Sequence, residues 1–317
     1  MPAIVLFALL AGCAGPSSHN DIAYVSGTSP ALVALIDAAF VASLPTENGQ
    51  QAFDELSPVS ACLRPDDALI VSDAASGQII AIPLASGAPH QVETATIHLD
   101  QPGIVRSDAL GNVYAADGTT RQVEVIDARF RARGEILPPY EALGLAPGRI
   151  SGMAFGPSGQ FYACDPINGR VYRFDASGHF VDSFTGGEQV GWGQLSQPQG
   201  MACTADGTEL YVCDPAKRQI TVFDPTGTPL RAFGATDLKE PWAVALNRRG
   251  QVFVADRAGK AVCVFDSQGR LLDRIVRPTG GDWEAPSDIL LRDSSLCVTD
   301  PGAGQVIIMR LRGAGTE

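Results

Sequence analysis

Short apolar stretches alternate with polar turns along most of the chain. Residues 171–174 (VYRF) and 220–223 (ITVF) alternate apolar and polar positions with period two and are rich in β-branched and aromatic residues. The pairs Ser158-Gly159 and Asp206-Gly207 supply tight turns between such stretches. The pattern predicts many short antiparallel strands joined by hairpins and few helices.

The same strand pattern recurs six times. Each copy holds an apolar strand, a turn, a second strand that ends in Asp, a loop and a third strand; the copies span residues 61–84, 103–127, 152–175, 200–224, 243–266 and 288–311. The Asp that closes the second strand returns every 42 to 49 residues, at Asp73, Asp117, Asp165, Asp214, Asp256 and Asp300. A period in the forties made only of strands is typical of a β-propeller blade.

The two ends of the chain are expected to close the propeller together. Residues 21–44 carry a partial copy of the repeat, whereas the last copy ends near Leu311 without a fourth strand. We therefore expect an N-terminal strand to complete the last blade, which removes exposed strand edges. Six blades are the first expectation, and seven, with the N-terminal copy as a partial blade, are the alternative. The predicted organisation is a ring-closing segment at 21–57, a propeller at 58–312 and a tail at 313–317.

These segments resemble NHL repeats. The best copy reads GQLSQPQGMA at 193–202, YVCD at 211–214, RQITVFD at 218–224 and AFG at 232–234. The resemblance implies an all-β propeller of four-stranded blades. It leaves the function open, because one fold hosts ligand binders, enzymes and scaffolds.

The charge balance narrows the classes of partner. The 317 residues include 23 Lys and Arg against 35 Asp and Glu, a formal net charge of −12. Nucleic acids and anionic lipid surfaces are bound through basic faces. We therefore expect no nucleic-acid partner and no membrane contact through a polybasic patch.

The N-terminus resembles a bacterial lipoprotein signal. Residues 4–11 (IVLFALLA) form an apolar run that is too short to span a bilayer but has the length of a signal-peptide core, and Leu10-Ala11-Gly12-Cys13 follows the pattern of a lipobox. The resemblance implies removal of residues 1–12, a lipid anchor on Cys13, a tether at 13–20 and a place in the cell envelope, at the outer membrane or the periplasmic face. An ordinary cleaved secretory signal and a cytosolic N-terminal strand are the alternatives.

Six cysteines follow Cys13 in the sequence. They are Cys62, Cys164, Cys203, Cys213, Cys263 and Cys297, and none has the spacing of a metal-binding pair. Buried thiols that pack as small apolar groups are the first interpretation. The candidate disulfide joins Cys203 and Cys213, which flank the predicted hairpin turn at Asp206-Gly207.

The recurring Asp residues are predicted to be structural. A ring of carboxylates that holds a metal is the alternative, but Asx-type hydrogen bonds to the backbone of each turn explain why every copy keeps the residue. The four histidines, His19, His90, His98 and His179, lie outside the loops that follow these Asp residues, and no GxSxG motif is present. We predict no catalytic residue, no metal and no cofactor.

Basic residues follow the recurring Asp in the second to fifth copies. They are Arg121, Arg170, Arg218 and Lys260, four or five residues after the Asp, with Lys217 and Arg257 beside them. Either they pair with acidic groups nearby, or they form a rim that binds anions through Arg forks. Trp242, near a connection between blades, is a candidate stacking surface for a sugar or an anchor of blade packing.

The sequence therefore favours a non-catalytic binding or scaffold module that holds a protein, or an anionic glycan or peptide, at the loop face of the propeller. The alternative is a metal-dependent lyase or lactonase-like hydrolase that acts at the channel mouth. The resemblance implies that such enzymes rely on a metal, or on His and acidic residues, at that mouth.

Overall fold

The computed structural model describes the backbone of residues 31–36 and, in full, residues 56–84, 93–95, 97–187, 191–292 and 294–311. The predicted signal peptide, Cys13 and the tether lie outside these residues. No helix of the described residues is long and apolar enough to cross a membrane. The only helical elements among them are two single 3₁₀ turns, at Pro215–Lys217 and Pro301–Ala303.

The strands are numbered in chain order. The first five are β1 (Ala31–Ile36), β2 (Pro58–Leu63), β3 (Ala68–Asp73), β4 (Gln78–Pro83) and β5 (Glu93–Thr94). The next eight are β6 (Pro102–Ser107), β7 (Val113–Asp117), β8 (Val123–Ile126), β9 (Ala132–Ile136), β10 (Gly152–Phe155), β11 (Phe161–Asp165), β12 (Arg170–Phe174) and β13 (Phe180–Phe184). The remaining strands are β14 (Met201–Cys203), β15 (Leu210–Asp214), β16 (Gln219–Phe223), β17 (Pro229–Phe233), β18 (Pro241–Leu246), β19 (Val252–Asp256), β20 (Ala261–Phe265), β21 (Leu271–Ile275), β22 (Asp288–Arg292), β23 (Ser295–Asp300) and β24 (Gln305–Arg310).

The strands form six antiparallel sheets of four strands each. Five sheets run in simple chain order, from β2–β5 to β18–β21, and are blades one to five. The sixth has the order β1-β24-β23-β22, with Ala31 opposite Arg310 and Ile36 opposite Val306. An N-terminal strand thus completes the last blade. The prediction of six blades is confirmed, and the seven-blade alternative is wrong.

The first strands of the blades surround the central channel, since those of neighbouring blades contact one another around the whole ring. Antiparallel order then sorts the loops onto two faces. Turns between second and third strands and connections between blades lie on one side, which we call the loop face. Hairpins between first and second strands, and turns between third and fourth strands, lie on the other side, the hairpin face.

Apolar side chains fill the space between neighbouring blades. Phe184 of blade three packs on Phe223 of blade four with ring centroids 5.3 Å apart, and Phe233 of blade four packs on Phe265 of blade five at 5.4 Å. Each fully buried side chain of this size contributes roughly 1.5–3 kcal/mol to stability. Because a blade buries its faces only against its neighbours, the repeated apolar strands favour a closed ring.

The structure shows the redox state and the burial of the six described cysteines. All six described cysteines are free thiols, and all are buried except the half-buried Cys203. Cys203 lies opposite Leu210, whereas the Cys213 amide donates to the Gly200 carbonyl. The two thiols are thus offset by three positions, roughly 10 Å at the usual strand rise, which is beyond disulfide reach. The candidate Cys203–Cys213 disulfide is therefore wrong, whereas the first interpretation, buried thiols, holds for five of the six cysteines.

Thiol labelling checks this assignment. Burial raises the pKa of Cys62 to about 12 and that of Cys203 to about 11, so almost no reactive thiolate is present at pH 8. We expect a Cys13→Ser variant to react slowly with Ellman's reagent when native, and to give six equivalents in guanidinium. Four equivalents in unreduced, denatured protein would reveal a disulfide and contradict the assignment.

Candidate functional site

The recurring Asp residues attach the connections between blades to the second strands on the loop face. Each lies at the end of a second strand and accepts a backbone N–H from the connection that leads into its own blade. The donors are Ser57 for Asp73, Asp100 for Asp117, Arg149 for Asp165, Ser196 and Gln197 for Asp214, Lys239 and Glu240 for Asp256, and Glu284 and Ala285 for Asp300. The sequence predicted donors in the turn that follows each Asp. Turn amides do donate to the Asp of blades one, two, three and five, but the 3₁₀ turns after Asp214 and Asp300 make no such bond. The structure adds the connections between blades.

Asp256 shows the arrangement in full. Its side chain is fully buried and accepts the amides of Lys239 at 3.0 Å, Glu240 at 2.7 Å and Gly259 at 3.2 Å. A Cβ on Gly259 would lie 2.0 Å from Asp256 Oδ2, so only glycine lets the turn close over the carboxylate. Buried carboxylates whose oxygens are occupied by amides act as structural clamps.

The channel wall contains a buried polar cluster that the sequence did not predict. Arg106 on β6 donates to both oxygens of Asp288 on β22, at 2.9 Å and 2.7 Å. Ser60 on β2 also donates to Asp288 Oδ2 and accepts the Val105 amide at 3.1 Å. Arg106 is 7% exposed and Asp288 is 1% exposed. The cluster therefore joins the first strands of blades six, one and two.

Charge pairing favours the charged form of Arg106. Burial lowers the pKa of Arg106, but the Asp288 carboxylate outweighs that effect and keeps the pKa above its usual value. Burial, partly offset by Arg106, raises the pKa of the neighbouring Cys62 thiol to about 12. A thiol with this pKa stays protonated at neutral pH and is a poor nucleophile. The channel wall thus carries an ion pair with occupied donors and acceptors.

The residues present do not fit a divalent metal. Within the described ranges, no group of three or more His, Cys, Asp or Glu side chains comes together as metal ligands. The channel carboxylate Asp288 has both oxygens bound by Arg106 and Ser60. A catalytic metal needs about three protein ligands and an open position, which these side chains do not assemble.

The structure gives the predicted basic residues different roles. Arg121 donates to the Pro147 carbonyl at 2.7 Å, Arg218 donates to the Leu238 carbonyl at 3.1 Å, and Lys217 binds the carbonyls of Gly191 and Gln194. Each acceptor belongs to a connection between blades. These three cations therefore hold connections in place, and their partners are main-chain carbonyls, which sequence reasoning had not considered.

Arg170 does not share the position of the other cations. Arg121, Arg218 and Lys260 have φ of 64°, 58° and 51° and occupy the left-handed last position of the turn, where blades one, three and six have Gly77, Gly169 and Gly304. Arg170 instead begins β12 opposite Asp165, and its guanidinium donates to Ser183 Oγ at 2.7 Å. In the sequence, Arg170 follows its Asp by five positions, whereas the other three cations follow theirs by four, and this longer spacing indicated the difference. The predicted four-cation rim therefore includes one residue that belongs to a strand.

The two predicted cations of blade five, Arg257 and Lys260, do not bind a connection. The Arg257 guanidinium lies over the Trp242 ring, 4.5 Å from its centroid, so the indole supports a cation. The exposed Lys260 ammonium has no hydrogen bond or ion pair with any described residue. Lys260 lines a cavity of about 470 Å³ on the loop face, between blade five and the connection to blade six.

Other residues of the loop face escaped sequence reasoning. His98 lies in the connection to blade two and packs against Gly77, whose Cβ would meet His98 Cε1 at 2.3 Å. A histidine therefore touches a loop after a recurring Asp, although it lies far from that loop in sequence. Lys239, Arg274 and Arg277 line the cavity beside Lys260. They come from segments outside the repeat, so the period gave no signal for them.

Fold and site together define a six-bladed β-propeller with clamped connections, a closed polar cluster in the channel wall and a cationic sector on the loop face. The model of the SMP-30/Gluconolactonase/LRE-like region matches residues 59–281. The chain therefore belongs to that family.

Curated relatives support the NHL resemblance. The chain is 28% identical over 125 residues to the protein brain tumor of Drosophila melanogaster, and 27% identical over 125 residues to the human E3 ubiquitin-protein ligase NHLRC1. These matches cover 39% and 38% of this chain, but only 12% and 31% of the relatives. The chain thus spans less than a third of either relative. The predicted resemblance to NHL-repeat propellers is confirmed.

Solved structures share the fold. A catalytically inactive virginiamycin B lyase from Staphylococcus aureus, solved with quinupristin, has a TM-score of 0.63 at 12% identity and covers 83% of this chain and 84% of its own. A streptogramin B lyase has a TM-score of 0.62 at 14% identity, with coverage of 90% and 88%. At these identities the similarity establishes the propeller and no more.

Proposed function

We propose that this protein is a non-catalytic binding module of the bacterial cell envelope that holds an anionic ligand, on a protein or a glycan, at the loop face. The observation that carries the proposal is the sector of free cations on blade five of a chain with a net charge of −12. Lys260 has no partner among the described residues, and the Arg257 guanidinium makes only its ring contact with Trp242. Exposed cations on an acidic protein attract anions locally.

The channel supports the same proposal. Arg106, Asp288 and Ser60 use one another as partners, which leaves no free base or carboxylate among them for acid–base chemistry. The similar proteins include the E3 ubiquitin-protein ligase NHLRC1 and the protein brain tumor, and a binding role for the repeat agrees with proteins of such varied kinds. A metal-dependent lyase or hydrolase is the competing function.

We further propose that Cys13 carries the lipid anchor and places the propeller at the outer membrane or the periplasmic face. The support is the lipobox-like Leu10-Ala11-Gly12-Cys13 behind an apolar run. We expect globomycin to block processing of the wild-type chain, and Cys13→Ser to remove labelling by radioactive palmitate. Normal processing in the presence of globomycin would contradict the anchor.

A binding panel tests the ligand class. Labelled protein is titrated with acidic peptides, oligogalacturonate and their neutral counterparts at low and high salt. We expect anion-selective binding that weakens with salt, because the screening length falls from about 10 Å at 0.1 M to about 3 Å at 1 M. Arg257→Ala on the loop face should weaken binding about threefold, in the range of one exposed charge pair.

The matched control is Arg129→Ala, an exposed arginine in a turn of the hairpin face, which should leave binding unchanged. Equal affinity of wild type and Arg257→Ala for every anion, or equal loss in both variants, would contradict binding at the loop face. Hydrolysis of a lactone with added Mg²⁺ or Zn²⁺, abolished by EDTA, would establish the competing enzymatic function.

A further inference from the structure

The cavity beside Lys260 lies off the propeller axis. It is bounded by the turn of blade five that contains Gly259 and Lys260, by the end of β21 and by the connection to blade six. Its volume of about 470 Å³ is within the usual range of ligand pockets. We call it the blade-five groove. Arg106 and Asp288 of the channel wall do not line it, so a ligand there would leave the channel free.

Four cations line the groove: Lys239, Lys260, Arg274 and Arg277. Three acidic residues, Asp237, Asp256 and Asp282, also line it, so the cations outnumber the carboxylates by four to three. The groove is therefore cationic on an acidic protein, and it favours an anion.

The two arginines are already engaged. Arg274 donates to Cys263 Sγ at 2.9 Å and to the Asp237 carbonyl at 2.8 Å, and Arg277 donates to the Asp282 carbonyl at 3.3 Å and to Gln305. The ammonium groups of Lys239 and Lys260 have no partner among the described residues. The free donors of the groove are therefore two ammonium groups, which act as point charges. Neither groove arginine is free to bind a carboxylate with its planar, two-pronged guanidinium.

Lys260 is held in a costly backbone conformation. Its φ of 51° lies in the left-handed region, where a residue other than Gly, Asn or Asp is strained. The equivalent Arg121 and Arg218 bind a connection in return, and the other three blades use glycine. Lys260 makes no such bond, so the structure of the described residues does not explain the lysine.

We propose that the blade-five groove binds an acidic peptide segment, with carboxylates on Lys239 and Lys260. This proposal deepens the proposed function and rests on it. The apolar side of the groove favours a peptide over a glycan. Val276 is 67% exposed at the rim and offers a contact for an aliphatic side chain. Trp283 is 3% exposed, and its indole N–H donates to the Ile275 carbonyl. The residues that line the groove therefore present no aromatic face on which a sugar ring could stack.

The test uses a fluorescein-labelled peptide in which glutamates surround one leucine, its glutamine analogue and an oligogalacturonate. The groove variant is Lys239→Ala/Lys260→Gly. Its second substitution introduces the residue that three other blades have at this position, so the fold is preserved. The matched control, Arg129→Ala/Arg248→Ala, removes two exposed positive charges from the hairpin face.

We expect the acidic peptide to bind roughly tenfold more weakly to the groove variant at low salt, as two exposed charge pairs are lost. The control variant should stay within about twofold of wild type, and the glutamine analogue should not bind. Val276→Glu should also weaken binding, because it places a carboxylate at the rim.

Equal losses in the groove and control variants, or no binding of the acidic peptide by wild type, would overturn the inference. Groove-dependent binding of oligogalacturonate but not of the peptide would overturn the peptide assignment. Anion binding that is unchanged in the groove variant but weakened in Arg257→Ala would refute the groove while leaving the proposed function in place. Loss of all anion binding in wild type would refute both.

Discussion

Replacing Arg106 with methionine is expected to lower the free energy of unfolding by about 3–5 kcal/mol, the usual cost of removing one partner of a buried ion pair. The Asp288 carboxyl would be left without its cation at 1% exposure, with Ser60 as the remaining side-chain donor. The substitution also opens the junction of blades six, one and two, where the ring closes. Urea denaturation followed by circular dichroism measures the loss.

The control is the double variant Arg106→Met/Asp288→Leu, which removes both charges. Apolar replacement of a whole buried pair is close to neutral or stabilising, so we expect the double variant to recover most of the lost stability. If the single variant unfolds within about 1 kcal/mol of wild type, the pair is not sealed from water. If the double variant is as unstable as the single one, the packing of Arg106 matters more than its charge.

The repeat made the fold predictable. The Asp at the end of each second strand recurs with the blades, and every copy places a short apolar strand on either side of it. The missing fourth strand after Leu311 indicated the ring closure, since a sheet edge there needs a partner. Physical repetition of one supersecondary unit allows local patterns to determine the whole architecture.

Arg106 of the channel-wall cluster departs from the residue type that other copies of the repeat have at its position. This departure could have indicated a polar cluster from the sequence. Arg106 lies opposite Tyr114 in the strand position where blades three and four have Ala154 and Ala202, opposite Tyr162 and Tyr211. A charge at a buried position requires a partner. The partner Asp288 comes from the other end of the chain, so only the closed ring reveals which residue it is.

The blade-five groove was not predictable for a different reason. The sequence marked Lys260 by its place in the repeat. Lys239 and Arg277 instead belong to two different connections and Arg274 to an outer strand, so they share no common pattern. The sequence also grouped Arg121 and Arg218 with Lys260 as equal cations. Whether a cation is free depends on whether a carbonyl of the next connection comes within reach, which follows from the length and path of that connection.

The second large effect is expected for Asp256→Ala. The substitution leaves the amides of Lys239, Glu240 and Gly259 without their acceptor. We expect it to lower the free energy of unfolding by about 3 kcal/mol, because these three donors lose their hydrogen bonds to a charged group. The control is Asp266→Ala in the same blade. Asp266 accepts the amides of Gln268 and Arg270, which belong to its own turn on the hairpin face. Its loss should therefore cost about 1 kcal/mol.

Hydrogen exchange separates a clamp from a general loss of stability. In Asp256→Ala the amides of Lys239 and Glu240 should exchange much faster, while those in β20 stay protected, because the connection detaches before the blade unfolds. The Lys239 side chain then loses its fixed place in the blade-five groove, so acidic peptides should bind more weakly as well. Unchanged exchange at both amides, or equal destabilisation by Asp266→Ala, would show that the recurring Asp does not hold the connection.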